Sequence, residues 1–361
     1  MLYTLPGLIG RDPWRADDAI SFGVALTMAR GELADWLFPN LAGMPMLDRG
    51  PLSGWVQAIA IKVGLLLNSL GVNFVTEHFS VRVCSIVFLG CALALVWYGT
   101  YELASRKNIQ PNDPFGVAAD KTELGRAIAD SALLILMACF GLIARVHETS
   151  VDAIQFTWTA LAFFALAYAP ERPKLSGWLF GLALACTAIT RGPHLALGFF
   201  AGWLLTLFFS APYRWIAHIV ALRFLVVSVL IVGSWFLAVR QFSPNAVSTG
   251  LWLIKLGLPT LEGSLYYGRT FAWFFWPAWP IAVLAAWRWR TQLNEPIIAL
   301  SMSMLGAVGM VAFFQPVASE SALLPLIVPF AALAAMGLPT LKRSIGSLID
   351  WFAVISFTVD F

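Results

Sequence analysis

Two adjacent carboxylates, Asp17 and Asp18, stand in a segment rich in both signs of charge, GRDPWRADDAISFGVALTMARGELADWLFPNLAGMPMLDRGPLSGW. They open a stretch in which Ile20, Val24 and Met28 recur at helical spacing. Acidic residues in a first turn suit the positive end of a helix dipole, so N-terminal capping accounts for such a pair. The other reading is chemical: one carboxylate faces a cavity at membrane level and acts as a base. Asp48-Arg49-Gly50-Pro51-Leu52 then sets an acid and a base beside a Pro-Leu helix start. An exposed ion pair worth little energetically would leave the same pattern.

Further charges interrupt apolar runs. Arg145, His147, Glu148 and Asp152 cluster at one predicted helix–helix turn, Arg191-Gly192-Pro193-His194 forms another, and Arg82 lies a few residues into an apolar segment. Ionisable groups at membrane depth are costly, so they pair, line a cavity or bind substrate. A structural ion pair explains any one of them. Their recurrence near one set of helix ends favours a shared polar or anionic site, and the planar fork of arginine suits phosphate. His78, His147, His194 and His218 show no metal-ligand spacing. Cys84, Cys91, Cys139 and Cys186 fall in apolar stretches without a CxxC pair and read as small apolar helix residues.

The elements that must position these residues follow from composition. Of 361 residues, 59% are hydrophobic and 12% charged, with mean hydropathy +0.78. A soluble domain carries about 25% charged residues. The composition excludes a disordered chain, a nucleic-acid-binding domain and an ordinary cytosolic enzyme. It leaves an all-α, polytopic helical membrane protein. The net charge of +3 names no polyanionic partner. A membrane helix needs about 20 mostly apolar residues, and such segments occur at 77–100, 127–144, 151–169, 177–190, 193–212, 216–239, 271–287, 297–314, 322–338 and 348–361. Residues 1–9 are too few to span and read as the stub of a first transmembrane helix. The chain also stops inside its last apolar run, so the sequence reads as a fragment missing material at both ends.

Loops 101–126, 170–176, 211–216, 288–290 and 342–343 carry lysine and arginine and alternate along the chain. The positive-inside rule places them in the cytoplasm. Residues 10–76, 145–150, 191–193, 240–270 and 315–321 are then outside. Segment 52–71, counted as a span, would invert every later loop. With Gln57 and Lys62 it reads instead as an amphipathic helix in the outer interface. The chain is therefore expected to form one domain, 1–361: the stub, an outer loop at 10–76 with juxtamembrane helices, and about ten spans over 77–361. There is no internal repeat and no GxGxxG or Walker loop.

The string LPGLIGRDPW…ADD…MARG…DWLFPNLAGMP…DRGPLSGW resembles the first outer loop of the GT-C glycosyltransferases. These polytopic enzymes use a polyprenyl-phosphate-linked sugar. The resemblance is to the bacterial branch with the lipid A aminoarabinose transferase and protein mannosyltransferase-like members. The pattern there is roughly Pro-Asp-Glu, then Gly-x-Trp-x-x-Pro-x-x-x-Gly-x-Pro, then Glu-Lys-Pro-Pro-Leu. Asp17 falls on the family's catalytic Asp, with Asp18 in place of Glu. Asp48 and Arg49 stand for Glu-Lys, Gly50 replaces the first Pro, and Pro51-Leu52 are retained. Thr190-Arg191-Gly192-Pro193 resembles the family's Thr-Lys-Gly-Pro turn, and Leu324-Pro325…Pro329…Ala331-Ala332-Leu333-Ala334-Ala335 its Leu-Pro…Pro-Leu-Ala-Leu-Ala-Ala helix. Asp350-Trp351-Phe352 also resembles that branch. The run before Leu324 is Ser319-Glu320-Ser321, where the family often carries a basic residue.

The resemblance implies an inverting transfer of a sugar from a polyprenyl-phosphate donor to a lipid A-like lipid or protein acceptor, at the periplasmic side of a bacterial inner membrane. Asp17 is then expected as the base, with Asp18 capping the helix or supporting it. Arg49 and Arg191 are expected on the phosphate, with Arg269 and Arg240 behind them. Tyr266 and Tyr267 are placed to contact the lipid phosphate or the sugar. Asp48, Arg145, Glu148 and Asp152 would order the cavity or touch the sugar. No cofactor is assigned, although a divalent cation at Asp17 and Asp18 is compatible with two carboxylates. The alternative function is a lipid or solute transporter or flippase. That would require broken helices and a binding site at mid-bilayer, whereas these charges lie near one face.

Overall fold

The computed structural model describes residues 2–5, 15–46, 49–71, 75–106, 121–242 and 257–340. Asp48, the loop at 107–120, Lys342, Arg343 and the expected last span with its Asp350-Trp351-Phe352 motif lie outside the described residues.

In a bilayer every backbone N–H and C=O must bond internally, so apolar runs of this length become helices. The main ones are α1 (Ala16–Arg30), α2 (Leu33–Leu37), α3 (Leu52–Ser69), α4 (Glu77–Ala104), α5 (Lys121–Ala138) and α6 (Phe140–Val146). They continue with α7 (Val151–Ala167), α8 (Pro173–Arg191), α9 (Pro193–Phe209), α10 (Ala211–Phe242), α11 (Leu261–Phe274) and α12 (Ala278–Arg288). The described fold closes with α13 (Pro296–Phe313), α14 (Glu320–Leu323) and α15 (Ile327–Gly337). Among the described residues five helical runs, α3 and the continuous run 320–337 among them, are long and apolar enough to cross a membrane, or up to seven if each of two bent pairs is one span. The chain is a polytopic helical membrane protein. Leu222, Val229, Leu230 and Leu237 of α10 are all more than 60% exposed, as residues on a lipid-facing helix are.

Two expected spans are broken. Residues 127–144 divide into α5 and α6, bent by 64°, and the run at 271–287 belongs to α11 and α12, bent by 94°. The breaks meet each other. The Phe140 N–H donates to the Trp276 carbonyl at 3.3 Å, and a side chain on Gly141 would run into the Phe274 ring. Broken backbone at membrane depth is tolerated where protein buries it and satisfies its polar groups. The bend in the first pair carries α6, and with it Arg145, toward one end of the bundle.

Long-range bonds define two ends. At one, Arg106 donates to the Ala167 carbonyl (3.0 Å), the Tyr213 hydroxyl to that of Leu166 (2.9 Å), and the Ser210 hydroxyl to that of Asn294 (2.9 Å). Arg172, Lys174, Arg214, Arg288 and Arg290 belong to the same set of helix ends. The other end gathers the starts of α1, α4, α7 and α14 and the end of α8.

Helix α3 runs across that second end. The Gly50 N–H, just before it, donates to the Thr190 carbonyl (2.9 Å). Midway the Gln57 amide donates to the Thr149 carbonyl (3.3 Å), and near its finish Gly64 faces Ser80. Eighteen residues extend about 27 Å, yet all three contacts are with turns at one end of the bundle. The face against the protein is small or polar, with Ser53, Gly54, Gln57 and Ala58 buried. The outward face carries Ile59, Val63 and Leu66, each about half exposed. That distribution suits a helix flanked by lipid. Among the described residues the only strands are those of a short hairpin in which Asn40–Leu41 pairs with Met44–Pro45.

Candidate active site

The carboxylates of α1 diverge, as adjacent residues about 100° apart on a helix must. Asp18 is buried (4% exposed), and its Oδ1 accepts the Thr149 N–H at 3.2 Å. The Asp17 side chain is 48% exposed. Its Oδ2 lies 3.1 Å from Arg145 Nη2, and its Oδ1 lies 4.0 Å from Arg49 Nη2. The N-cap of the helix is Arg15, without a side-chain cap bond. The capping alternative is therefore replaced: both acids reach away from α1 into tertiary contacts.

Arg145, at the C-terminal end of α6, joins four elements. Its Nε donates to Asp152 Oδ2 at 2.8 Å, and its Nη2 donates to the Ser321 hydroxyl at 2.9 Å as well as meeting Asp17. Glu320 Oε2 stands 3.8 Å from its Nη1. Asp152 sits in the first turn of α7, only 1% exposed, and its second oxygen pairs with Arg191. The Ser321 hydroxyl donates to Asp152 Oδ2 at 3.0 Å. A buried carboxylate is tolerable when cations and hydroxyls surround it in this way. Arg191 closes α8, where a cation also suits the helix dipole. The turn beyond it needs Gly192 at φ +112°, a conformation side chains disfavour.

Arg49 is buried and donates to the Ser21 hydroxyl at 3.2 Å. Its neighbour Gly50 is pinned to the Arg191 turn, and a Cβ at Gly50 would collide with the Ile189 carbonyl. The backbones that carry Arg49 and Arg191 are thus bonded together. Glu148 pairs with Arg15 at 2.7 Å, while its other oxygen is buried without a hydrogen-bond partner among the described residues. Burial pushes the Glu148 carboxyl above the usual carboxylate range, with Arg15 and Arg145 pulling the other way.

The structure thus brings Asp17, Arg49, Arg145, Asp152 and Arg191 into one network, with Asp18 and Glu148 at its margin. The remaining expected residues stand apart. The Tyr267 hydroxyl donates to the Ala312 carbonyl (3.0 Å) and accepts the Ser319 N–H (3.4 Å), tying α11 to the strand of chain before Glu320. Tyr266, Arg240 and Arg269 are exposed, and neither arginine makes an ion pair among the described residues. Sequence reasoning missed Arg15, Ser21, Thr149, Glu320 and Ser321. An acid where a cation is usual was the available signal at Glu320, and its physical meaning is a counter-charge for Arg145.

A divalent cation does not fit between Asp17 and Asp18. The two carboxylates point to different neighbours, and Arg145 and Arg49 flank Asp17, where they would repel it. Among the described residues no three His, Cys, Asp or Glu side chains group as metal ligands. What the cluster can do is hold an anion beside a half-exposed carboxylate.

The sequence matches no family model and no curated protein. Among solved structures, the chain is similar to ArnT from Cupriavidus metallidurans bound to undecaprenyl phosphate, with a TM-score of 0.73 and 14% identity. It is also similar to ArnT from the same organism in the apo state, with a TM-score of 0.72 and 16% identity. The matches cover 99% of this chain but 62% and 61% of those chains, so this chain spans less than two thirds of their length. At this identity the likeness is one of fold.

Proposed function

We propose that this chain, which has the GT-C fold, transfers a sugar from a polyprenyl-phosphate donor to a lipid or protein acceptor at the membrane face where Asp17 lies. The observation that carries this reading is Asp17 itself: a half-exposed carboxylate with Arg145 at 3.1 Å and Arg49 at 4.0 Å, at the bundle end remote from the basic loops. In an inverting transfer a carboxylate takes the acceptor's proton or orients the nucleophile. Cations meanwhile stabilise the charge that grows on the departing phosphate. Arg49 is placed for the phosphate by its burial beside Asp17 and by its bond to the Ser21 hydroxyl, which fixes the guanidinium at the edge of the cluster. Arg145 and Arg191 are held by Asp152 and would share their charge with it. That ArnT, of the same fold, binds undecaprenyl phosphate supports a lipid phosphate as donor.

The site face is assigned to the periplasm and the membrane to the bacterial inner membrane, since Arg106, Arg172, Lys174, Arg214, Arg288 and Arg290 occupy the opposite end. A lipid A-like glycolipid is the acceptor that the sequence resemblance favours. Breaks of the kind a transporter needs are present in α5–α6 and α11–α12. They close on each other, however, and residues 138–141 and 274–278 contain no charged side chain to hold a solute. The test is transfer of radiolabelled sugar from polyprenyl phosphate in proteoliposomes supplied with membrane glycolipid and protein extract. Product that depends on Asp17 is expected. Exchange of labelled lipid between leaflets without any product would overturn the reading in favour of transport.

A further inference from the structure

Arg82 is left over from the network. It is 9% exposed, lies about 8 Å below the start of α4, and among the described residues has no hydrogen bond or ion pair. One turn above it on the same face is His78, whose ring stacks on Phe22 of α1 at 3.9 Å and whose Nδ1 is buried without a partner. Helical side chains lean toward the helix N-terminus, so Arg82 covers the turn that carries His78. The nearby polar groups are committed elsewhere. Glu77 binds Arg30 at 2.8 Å, Ser80 donates to the Thr76 carbonyl and Ser85 to that of Val81.

A guanidinium without a counter-charge at this depth is costly, and an anion would remove that cost. We propose that Arg82 and His78 form a second anion seat, which holds the phosphate of a membrane lipid other than the sugar donor. Two neighbouring faces of helix α1, about 100° apart, meet the two groups separately. Its Asp17 and Ser21 turn to Arg145 and Arg49, whereas its Asp18 and Phe22 turn to Thr149 and His78. The entry is from the bilayer, because Phe79 and Val83, next to His78 and Arg82 around α4, are each 39% exposed. A phospholipid brings its phosphate to the headgroup level beside this helix end, while a dissolved anion must leave water to reach it. The paired donors of Arg82 suit two phosphate oxygens. The seat depends on membrane embedding and not on the sugar-transfer reading.

Native mass spectrometry of the detergent-solubilised protein tests it, with dioleoyl phosphatidic acid, dioleoylglycerol and inorganic phosphate added separately. Phosphatidic acid should be retained, dioleoylglycerol lost and inorganic phosphate bound far more weakly. Arg82→Met should weaken phosphatidic acid binding roughly tenfold or more, the scale of a lost charge-assisted bond, and Arg82→Lys should recover part of it. Retention of undecaprenyl phosphate should fall with Arg49→Met and stay unchanged with Arg82→Met, which separates the two seats. Unchanged phosphatidic acid binding in Arg82→Met overturns the seat, and equal binding of inorganic phosphate overturns the lipid as its source. If Arg82→Met does not fold, Arg82→Gln, which keeps a polar side chain and drops the charge, decides by the same comparison.

Discussion

At the scale of single residues, Asp17 and Asp18 differ by their surroundings and not by their chemistry. Asp18 is locked onto the Thr149 N–H, and Asn in its place can still accept that bond. Asp17 is half exposed among cations. General base catalysis typically contributes about 10²–10⁴-fold. Asp17→Asn should therefore cut sugar transfer by roughly a hundredfold or more while melting near the parent, and Asp18→Asn should lose far less turnover. The reverse ranking moves the base to Asp18. Asp152 holds Arg145 and Arg191 together from a buried position. Asp152→Asn leaves those cations undercompensated and should cost about 3 kcal/mol of stability, read by unfolding in detergent. Glu148 supplies a pH dependence. Burial raises its carboxyl value, so folding favours the protonated form. That stabilisation is complete below the ordinary value of about 4.3 and is lost as pH rises through the raised folded value. Glu148→Gln, neutral throughout, should flatten the fall in melting temperature across that window, and an unchanged slope would assign the effect to other groups.

Among the elements, the link between the outer segment and the end of α8 is the one most sensitive to substitution. Gly50 donates its N–H to Thr190 and has the Ile189 carbonyl where a Cβ would be. The glycosyltransferase pattern that this segment resembles has proline here, which brings a side chain and removes the donor. Gly50→Pro should thus destabilise this chain by about 1–3 kcal/mol and lower donor affinity, since Arg49 and Arg191 hang from the two bonded backbones. A melting curve and a donor titration of the variant check both effects. Stability and affinity equal to the parent would mean that the two segments find their positions independently. The broken pairs act at the same scale: the 64° bend after α5 aims Arg145 at Asp152 and Ser321, which a straight span over 127–144 would not do.

For the whole molecule, the two ends carry different chemistry, and orientation decides which compartment the site serves. A single cysteine at Ala42, in the exposed turn of the hairpin that packs on α1, should react with an impermeant thiol reagent from the periplasmic side of spheroplasts. One at Gln292, at the basic end, should react only after permeabilisation. The parent for both must lack Cys84, Cys91, Cys139 and Cys186, of which Cys91 is exposed. Labelling of Gln292→Cys in intact spheroplasts would reverse the orientation and move the proposed transfer to the cytoplasmic face.

What the amino-acid sequence determined by itself is the helical membrane class, most helix positions and the inventory of charges at helix ends. Hydropathy sums over neighbouring residues, so 20-residue apolar runs announce themselves locally, and Asp17, Arg49, Arg145, Asp152 and Arg191 were legible as charges with no cheap place in a bilayer. Partnership was not legible. Arg145 meets Ser321 across 176 positions and Asp17 across 128, and no local period encodes such a contact. Only the tertiary structure decided that Asp18 is buried and Asp17 open, that Glu320 faces a cation, and that two apolar runs break where their bends can satisfy each other. Each depends on packing between distant segments, where burial and the position of a counter-charge set what a side chain can do.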